Sequence, residues 1–388
     1  MRTQRKNIVL LYFSLVVILL GFGVLIPLEP FLVDAFGASG QALGALVAIY
    51  AITQLIFSPL WGGLSDQYGR KPLLVLGALG NAIALIMFGV ASQLWMLFLA
   101  RFLTGLFAAA TLPTSMAYIS DSTSEEERGR GMGIIGAAMG TGMVLGPGIG
   151  GWLGNTSLSL PFFVAAGLSL LAAVLILLIL PESLGADKRV ERAKFNPVSQ
   201  FANMWRALWG PIGFLLFLAF LVSLGLTNFE GIFGLYALYR FDFGPKQVGT
   251  ILMFIGIIAA VVQLVLTGPA TKRWGEAKVI KMALLGDSIG FLLMLTAFNM
   301  TTVLLTAGFV VFANAMIRPA ISSLISKRTD VKQGLALGLN NSFMSLGRFA
   351  GPLLAGFLFD INISLPYLNG AAITFLGFLL VLFLLRKD

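Results

Sequence analysis

GGLSDQYGRKP, residues 62–72, crowds charge and glycine between two apolar stretches long enough to cross a bilayer. A worn copy, GPATKRWGEAK, returns at residues 268–278. Gly62, Asp66 and Gly69 recur there as Gly268, Lys272 and Gly275. Pro113 recurs as Pro319 at the same shift, and GPGIGG (146–151) returns as GPLLAG (351–356). A polar loop that appears twice, in step with two motifs inside apolar stretches, predicts a duplicated unit.

The 388 residues are 58% hydrophobic and 11% charged, with a mean hydropathy of +0.92. Soluble domains carry about 25% charged residues, so the solvent of this chain is largely lipid. The absence of cysteine excludes disulfides and thiolate metal sites, and the absence of histidine removes the usual zinc ligand and neutral-pH proton carrier. The net charge of +9 would suit nucleic acid, but its placement in short loops between spans points elsewhere. The first 27 residues, MRTQRKNIVLLYFSLVVILLGFGVLIP, join a basic start to an apolar run too long for a signal-peptide core, and read as a retained first span.

A bilayer core needs about 20 apolar residues in helix. On that rule spans fall near 8–28, 41–61, 72–91, 95–118, 131–153 and 161–181. The polar stretch ESLGADKRVERAKFNPVSQ (182–200) follows, then spans near 211–236, 247–268, 277–298, 302–325, 334–358 and 366–385. The expected fold is an all-α membrane protein of twelve transmembrane helices in two pseudo-symmetric six-helix halves, residues 1–181 and 211–388, joined by a linker at 182–210. With the N-terminus inside, every Lys and Arg falls on the inner side except Arg240 and Lys246 outside, and Arg101, Arg318 and Arg348 within spans. Positive charge accumulates on the cytoplasmic side, so both termini are expected there. Transporters built from repeats place substrate near mid-membrane between the halves and rock one against the other.

At these residues the sequence resembles the major facilitator superfamily, and within it the twelve-span drug:proton antiporters. It is similar over essentially its whole length to the multidrug and quinolone efflux pumps of Gram-positive bacteria. GGLSDQYGRK (62–71) resembles the family's loop 2–3 signature, and RFLTGLFAA (101–109) the arginine-glycine signature of span 4. GMVLGPGIGG (142–151) resembles the span-5 motif of antiporters, while NFEGIFGLY (228–236), MIRPAISS (316–323) and LGLNNSF (337–343) follow spans 7, 10 and 11. The resemblance implies the two-half superfamily fold, in a bacterial cytoplasmic membrane.

Gly62 and Gly69 would permit a tight reversal between helices, with Asp66 accepting from helix N-termini or pairing with basic residues such as Arg70. The resemblance implies that this cluster is a cytoplasmic latch; the plainer reading is a positive-inside turn. Gln67 stands where the family carries arginine, and Lys272 replaces Asp66 in the second copy, which is expected to keep the turn. In span 5, Gly142, Gly146 and Gly150 form a smooth stripe for close helix approach, and Pro147 bends the helix. That stripe is either plain packing or a seam that seals the outer side. Arg101, a few residues into span 4, must meet water or a partner; the resemblance implies a role in proton relay or in bracing the latch.

An antiporter needs a group that exchanges a proton for substrate. Glu230 sits near the middle of span 7, where burial favours the neutral carboxyl and a bound cation favours the charged one. The resemblance points to the same residue. The relatives also carry a span-10 acid before MIRP, where this chain has Ala315 after Asn314. Two further acids could take that role. Glu29, between Pro27 and Pro30 at the outer end of span 1, reads first as a solvated interfacial acid and second as a proton site. Asp287, in span 9, is expected to pair with Arg348 in span 11 ahead of any transport chemistry. Gln54, Arg318 with Pro319, and Asn340 match family positions in spans 2, 10 and 11. Phe229, Phe233 and Tyr236 offer aromatic surface to organic cations, or simply pack.

The resulting expectation is a proton-driven exporter of lipophilic, often cationic drugs. It would exchange small molecules and protons across the lipid bilayer, need no cofactor, metal or nucleic acid, and function as a monomer. No G-x-x-x-x-G-K-[ST] nucleotide loop occurs. The alternative is a transporter of one physiological solute (a sugar, a metabolite or a lipid precursor), which the buried arginines would suit. An enzyme is disfavoured for lack of His, Cys or paired carboxylates.

Overall fold

In lipid every backbone polar group must be satisfied within its own segment, which leaves helices as the answer for apolar runs of this length. The computed structural model describes residues 2–185, 187, 189, 204–329 and 333–385. Most of the expected linker, with Lys188, Arg192 and Lys194, and the C-terminal Arg386 and Lys387 lie outside the described residues. Among the described residues twelve long helices follow one another: α1 (Arg2–Ala35), α2 (Gly40–Tyr68), α3 (Arg70–Gly89), α4 (Leu94–Ser122), α5 (Glu125–Gly154) and α6 (Leu160–Ile179). After these come α7 (Gly213–Phe241), α8 (Pro245–Trp274), α9 (Glu276–Met294), α10 (Met300–Arg328), α11 (Gln333–Ile361) and α12 (Leu365–Leu384). Eleven are long and apolar enough to cross a membrane. The twelfth, α9, is interrupted by Glu276, Lys278, Lys281 and Asp287, which dilute its apolar signal.

The helices outrun the apolar windows that predict them. α2 runs through Gly62 to Tyr68, so Gly62 sits inside a helix and makes no reversal. The reversal belongs to Gly69 alone, at φ +103°, and in the second copy to Gly275, at φ +78°. Both angles lie where a Cβ is costly. α8 relaxes into a π-turn at Val262–Leu266. Thr267 Oγ donates to the Val262 carbonyl at 3.0 Å, repairing the break locally. Outward faces are apolar without cover, as at Leu264, 84% exposed; in water that would be a defect, in lipid it is the solvated surface.

The chain packs as two compact units. One comprises Met1–Phe36, Ile52–Asn196 and Gly244–Met253; the other comprises Gly37–Ala51, Pro197–Phe243 and Phe254–Asp388. In the first, α1 lies along α5, and α3 packs on α4 and α6, around Leu11, Leu15, Leu74, Tyr118 and Ile176. The Gly142, Gly146 and Gly150 stripe faces α1: a Cβ on Gly146 would stand 2.6 Å from Gly23 Cα, and one on Gly150 2.7 Å from the Val24 carbonyl oxygen. In the second unit α7 lies along α11, and α9 packs on α10 and α12, around Leu216, Ile280, Leu284, Ile321 and Phe343. There the repeat-related Gly347 and Gly351 press on α7: a Cβ on Gly351 would sit 2.8 Å from the Leu224 carbonyl oxygen. Backbone-to-backbone packing through small residues thus positions the helix pair in each unit.

Candidate functional site

The α7–α11 seam decides where charge is displayed. Ser223 Oγ donates to the Met344 carbonyl at 2.7 Å and Thr227 Oγ donates to the Gly347 carbonyl at 3.1 Å. Arg348 follows Gly347 directly, and Glu230 lies one turn beyond Thr227, so the seam fixes both at the heart of their spans. Glu230 is exposed while Asn228, Phe229 and Gly231 around it are buried. Arg318 on α10 and Arg348 are half-buried and within electrostatic reach of that carboxylate and of each other. Tyr50 of α2 is also within electrostatic reach of Arg348. Among the described residues none of the three side chains closes an ion pair or a hydrogen bond; the ion pairs found involve other groups. The result is one carboxylate and two guanidiniums, unneutralised by direct contact, open to the space beside α7.

Glu29 and Arg101 show the opposite arrangement. Each is 2% exposed, and Arg101 Nη1 meets Glu29 Oε1 at 2.9 Å, with the guanidinium 5.6 Å from the Phe22 ring centroid. Glu29 is therefore not a solvated interfacial acid: α1 continues past Pro27 and Pro30 to Ala35 and carries it inside the unit. Arg101 stands about 30 Å along α4 from Asp121, at 1.5 Å per residue, and so belongs with Glu29 rather than with the loop 2–3 cluster.

Asp287 also departs from expectation. Fully buried, it accepts from Asn314 Nδ2 at 2.8 Å, and among the described residues it forms no pair with Arg348. The acid missing from α10 at Ala315 thus has a carboxylate on the neighbouring α9, bonded to the residue just before. Phe229 and Phe233 are fully buried. Phe229 packs on Phe233 at 5.2 Å, on Phe291 at 6.2 Å and on Tyr367 at 6.1 Å between ring centroids, and Tyr236 packs tilted against Tyr367 at 4.2 Å. These rings are the unit's core, not a surface for ligand. Asn340 is buried too, its Nδ2 donating to Ser322 Oγ at 3.2 Å and bridging α10 and α11. Gln54 is half-buried in the first unit.

The loop 2–3 cluster closes into a network. Arg70 Nη1 meets Asp66 at 2.6 Å and donates to Ser65 Oγ at 2.9 Å, while Nε meets Asp121 of α4 at 2.9 Å. The start of α3 is capped by Glu182: the backbone N–H groups of Arg70 and Lys71 donate to its carboxylate at 2.8 and 3.2 Å. That carboxylate fills the space a Cβ at position 69 would need. Asp66 therefore serves the arginine and Glu182 the helix terminus. Sequence reasoning missed Glu182 and Asp121; the signal for Glu182 was its place as the first acid after span 6, read instead as the start of a linker. The second copy rebuilds its carboxylate at Glu276, which meets Lys327 at 2.5 Å and accepts from Ser323 Oγ at 2.9 Å. The Lys327 ammonium holds Glu276, at the membrane-surface end of α9, below the usual carboxylate range. At α2, the backbone N–H groups of Gly40 and Gln41 donate to the Asp360 carboxylate at 2.7 and 2.9 Å.

Comparison with known proteins agrees with this geometry. The Major Facilitator Superfamily model matches residues 11–267 and 215–388. Multidrug resistance protein 2 of Bacillus subtilis (strain 168) is 34% identical over 375 residues, spanning 96% of this chain and 94% of its own. Quinolone resistance protein NorA of Staphylococcus aureus (strain MSSA476) is 31% identical over 379 residues, covering 98% and 96%. Among solved structures, a peptide transporter POT in complex with sulfate superposes with a TM-score of 0.81 at 14% identity, covering 98% of this chain and 94% of that one. The nucleoside transporter NupG gives 0.79 at 15%, covering 97% and 99%. These two establish the fold alone. Twelve long helices among the described residues, signatures in chain order and near-complete alignment with multidrug and quinolone resistance proteins converge: the chain belongs to the Major Facilitator Superfamily.

Proposed function

We propose that the protein is a proton-driven exporter of lipophilic, amine-bearing drugs, working as a monomer in the bacterial cytoplasmic membrane with both termini in the cytoplasm. Its moving bodies are the six-helix halves 1–181 and 211–388. The observation that carries this reading is Glu230, a carboxylate at mid-span on α7, exposed and free of any direct partner among the described residues. A carboxylate so placed holds either a proton or a substrate ammonium, and that competition is sufficient for exchange. The printed names of the relatives, multidrug and quinolone resistance proteins, support the substrate class. Each proton moving inward supplies about 2.3 kcal/mol per 100 mV. The Arg70 network and the Glu182 cap form the latch at the loop 2–3 end, to be released once per cycle.

The test is reconstitution in liposomes under an imposed pH gradient, following ethidium and a fluoroquinolone. Wild-type protein moves both compounds counter to the proton flow, and Glu230→Gln does not. Movement that survives the substitution would refute coupling at α7. A second reading, transport of one physiological solute, is favoured by the two guanidiniums of Arg318 and Arg348, which form no ion pair among the described residues; failure to move either drug in an active preparation would favour it.

A further inference from the structure

One lipid-facing region of the second unit is concave. Along α8 and α10 an apolar groove of about 480 Å³ opens outward, walled by Phe254, Val262 and Leu266 on α8 and by Leu305 and Phe312 on α10. Gly308 lies in its lining: a Cβ there would stand 3.0 Å from Ile258 Cδ1, so the missing side chain keeps the floor low. Val262 and Leu266 are the two ends of the π-turn. Apolar surface facing lipid is ordinary, but a groove in it can hold one chain in place. The same face of α8 carries charge where the helix ends. Arg273 lies seven residues beyond Leu266, two turns on and about 10 Å further along the axis. Lys272, Arg273 and Trp274 are all exposed, and the Arg273 guanidinium stands 5.9 Å from the Trp274 ring centroid. Glu276, the acid nearest in sequence, is taken by Lys327, and neither Lys272 nor Arg273 forms an ion pair among the described residues. An indole beside two available cations is the chemistry that meets lipid headgroups.

We infer that α8 and α10 form a binding site for one anionic phospholipid, its phosphate held by Lys272 and Arg273 and one acyl chain laid along α8 into the groove. Arg273 offers a phosphate two-point hydrogen bonding, and Lys272 adds a point charge. Half of a bilayer core is about 15 Å deep, so a chain anchored at Arg273 passes Leu266 and reaches Val262. A zwitterionic lipid brings a cation of its own to the same two cations and gains less from them. The site lies within the second unit and is independent of what the protein transports.

The probes are dioleoyl-phosphatidylglycerol, dioleoyl-phosphatidylcholine and the short-chain dihexanoyl-phosphatidylglycerol. Binding of the first lipid molecule to delipidated protein in detergent is measured by native mass spectrometry. Wild-type protein is expected to bind dioleoyl-phosphatidylglycerol at least about fivefold more tightly than the phosphatidylcholine, a difference of about 1 kcal/mol. Arg273→Gln should bring the two to within about twofold, while Lys71→Gln, which removes one charge at the loop 2–3 end of the first unit, leaves the preference intact. Gly308→Leu fills the floor of the groove against the flexible end of Ile258. It should weaken dioleoyl-phosphatidylglycerol at least about threefold and leave the dihexanoyl lipid, whose chains stop short of Leu266, unchanged. Equal binding of the two dioleoyl lipids by wild-type protein overturns the inference and needs no variant that might misfold. Equal losses in Arg273→Gln and Lys71→Gln also overturn it, since they mark a response to overall charge. So does a Gly308→Leu protein that binds dioleoyl-phosphatidylglycerol as wild type does, because the groove is then empty of chain. A dimer that forms as lipid is withdrawn, and that Gly308→Leu abolishes, would give the groove to a second copy instead.

Discussion

The two units treat the same chemistry in opposite ways. In the first, Glu29 and Arg101 close into a buried pair at 2.9 Å, stacked on Phe22. In the second, Glu230 faces two arginines and closes with neither. Both units are built on one kind of seam, glycines of α5 against α1 and glycines of α11 against α7, so the backbone frame is shared and the difference lies in the side chains it displays. A closed pair has spent its electrostatic attraction within the protein. An open trio keeps that attraction for what binds.

The largest contrast is expected in stability. Arg101→Met strands the Glu29 carboxylate in a dry interior, and removing one member of a buried pair costs about 3–5 kcal/mol. Thermal unfolding in detergent should show it as a fall in Tm, largely restored when Glu29→Met is added. Arg348→Gln breaks no closed pair and should leave Tm almost unchanged, within about 0.5 kcal/mol. Equal losses from the two substitutions would erase the distinction between the units.

The seams should respond alike. Gly146→Val and Gly351→Val each push a side chain into backbone atoms of the partner helix, and overpacking of this kind costs about 1–3 kcal/mol. In Gly351→Val the strain displaces the positions that carry Glu230 and Arg348, so substrate binding should fall with stability. Gly146→Val should lower Tm with binding retained. Binding lost equally in both would mean that the α7–α11 seam has no special hold on the site.

The smallest effect concerns pH. Lys327 lowers the affinity of Glu276 for protons in the folded protein, so this pair stabilises the fold above the ordinary carboxylate value of about 4.3. That contribution is lost as pH falls through the lowered native value. With Lys327 largely exposed, it amounts to less than about 1 kcal/mol. Lys327→Gln should abolish this part of the acid-induced fall in Tm and leave transport intact. An unchanged acid profile would show the pair to be inert.

Much of this was legible in the sequence. Twelve spans and the repeat followed from the length that lipid imposes on apolar runs and from one polar loop seen twice. Gly69 and Gly275 were legible as turns, but Gly62 was not separable from them, because nothing in the local sequence says that α2 continues past the apolar window. The site was legible only in part. Glu230, Arg318 and Arg348 stood out as charges within spans. Yet Phe229, Phe233 and Tyr236 were left open between ligand surface and packing, although i, i+4, i+7 spacing puts the three rings on one face and Glu230 about 100° away from it. That spacing held the correction. The partners of Glu29 and Asp287 could not be read at all: whether an acid meets Arg101, Arg348 or Asn314 depends on which helix faces which, and no local pattern encodes it.

The most direct test of the central claim counts protons. Purified protein in weakly buffered detergent solution is mixed with norfloxacin, and the pH change on binding is followed for wild type, Glu29→Gln and Glu230→Gln. Release of protons by wild type and by Glu29→Gln, and none by Glu230→Gln, is the predicted result. Release that persists in Glu230→Gln, or disappears in folded Glu29→Gln, would contradict the account and move the exchange from the open trio to the closed pair.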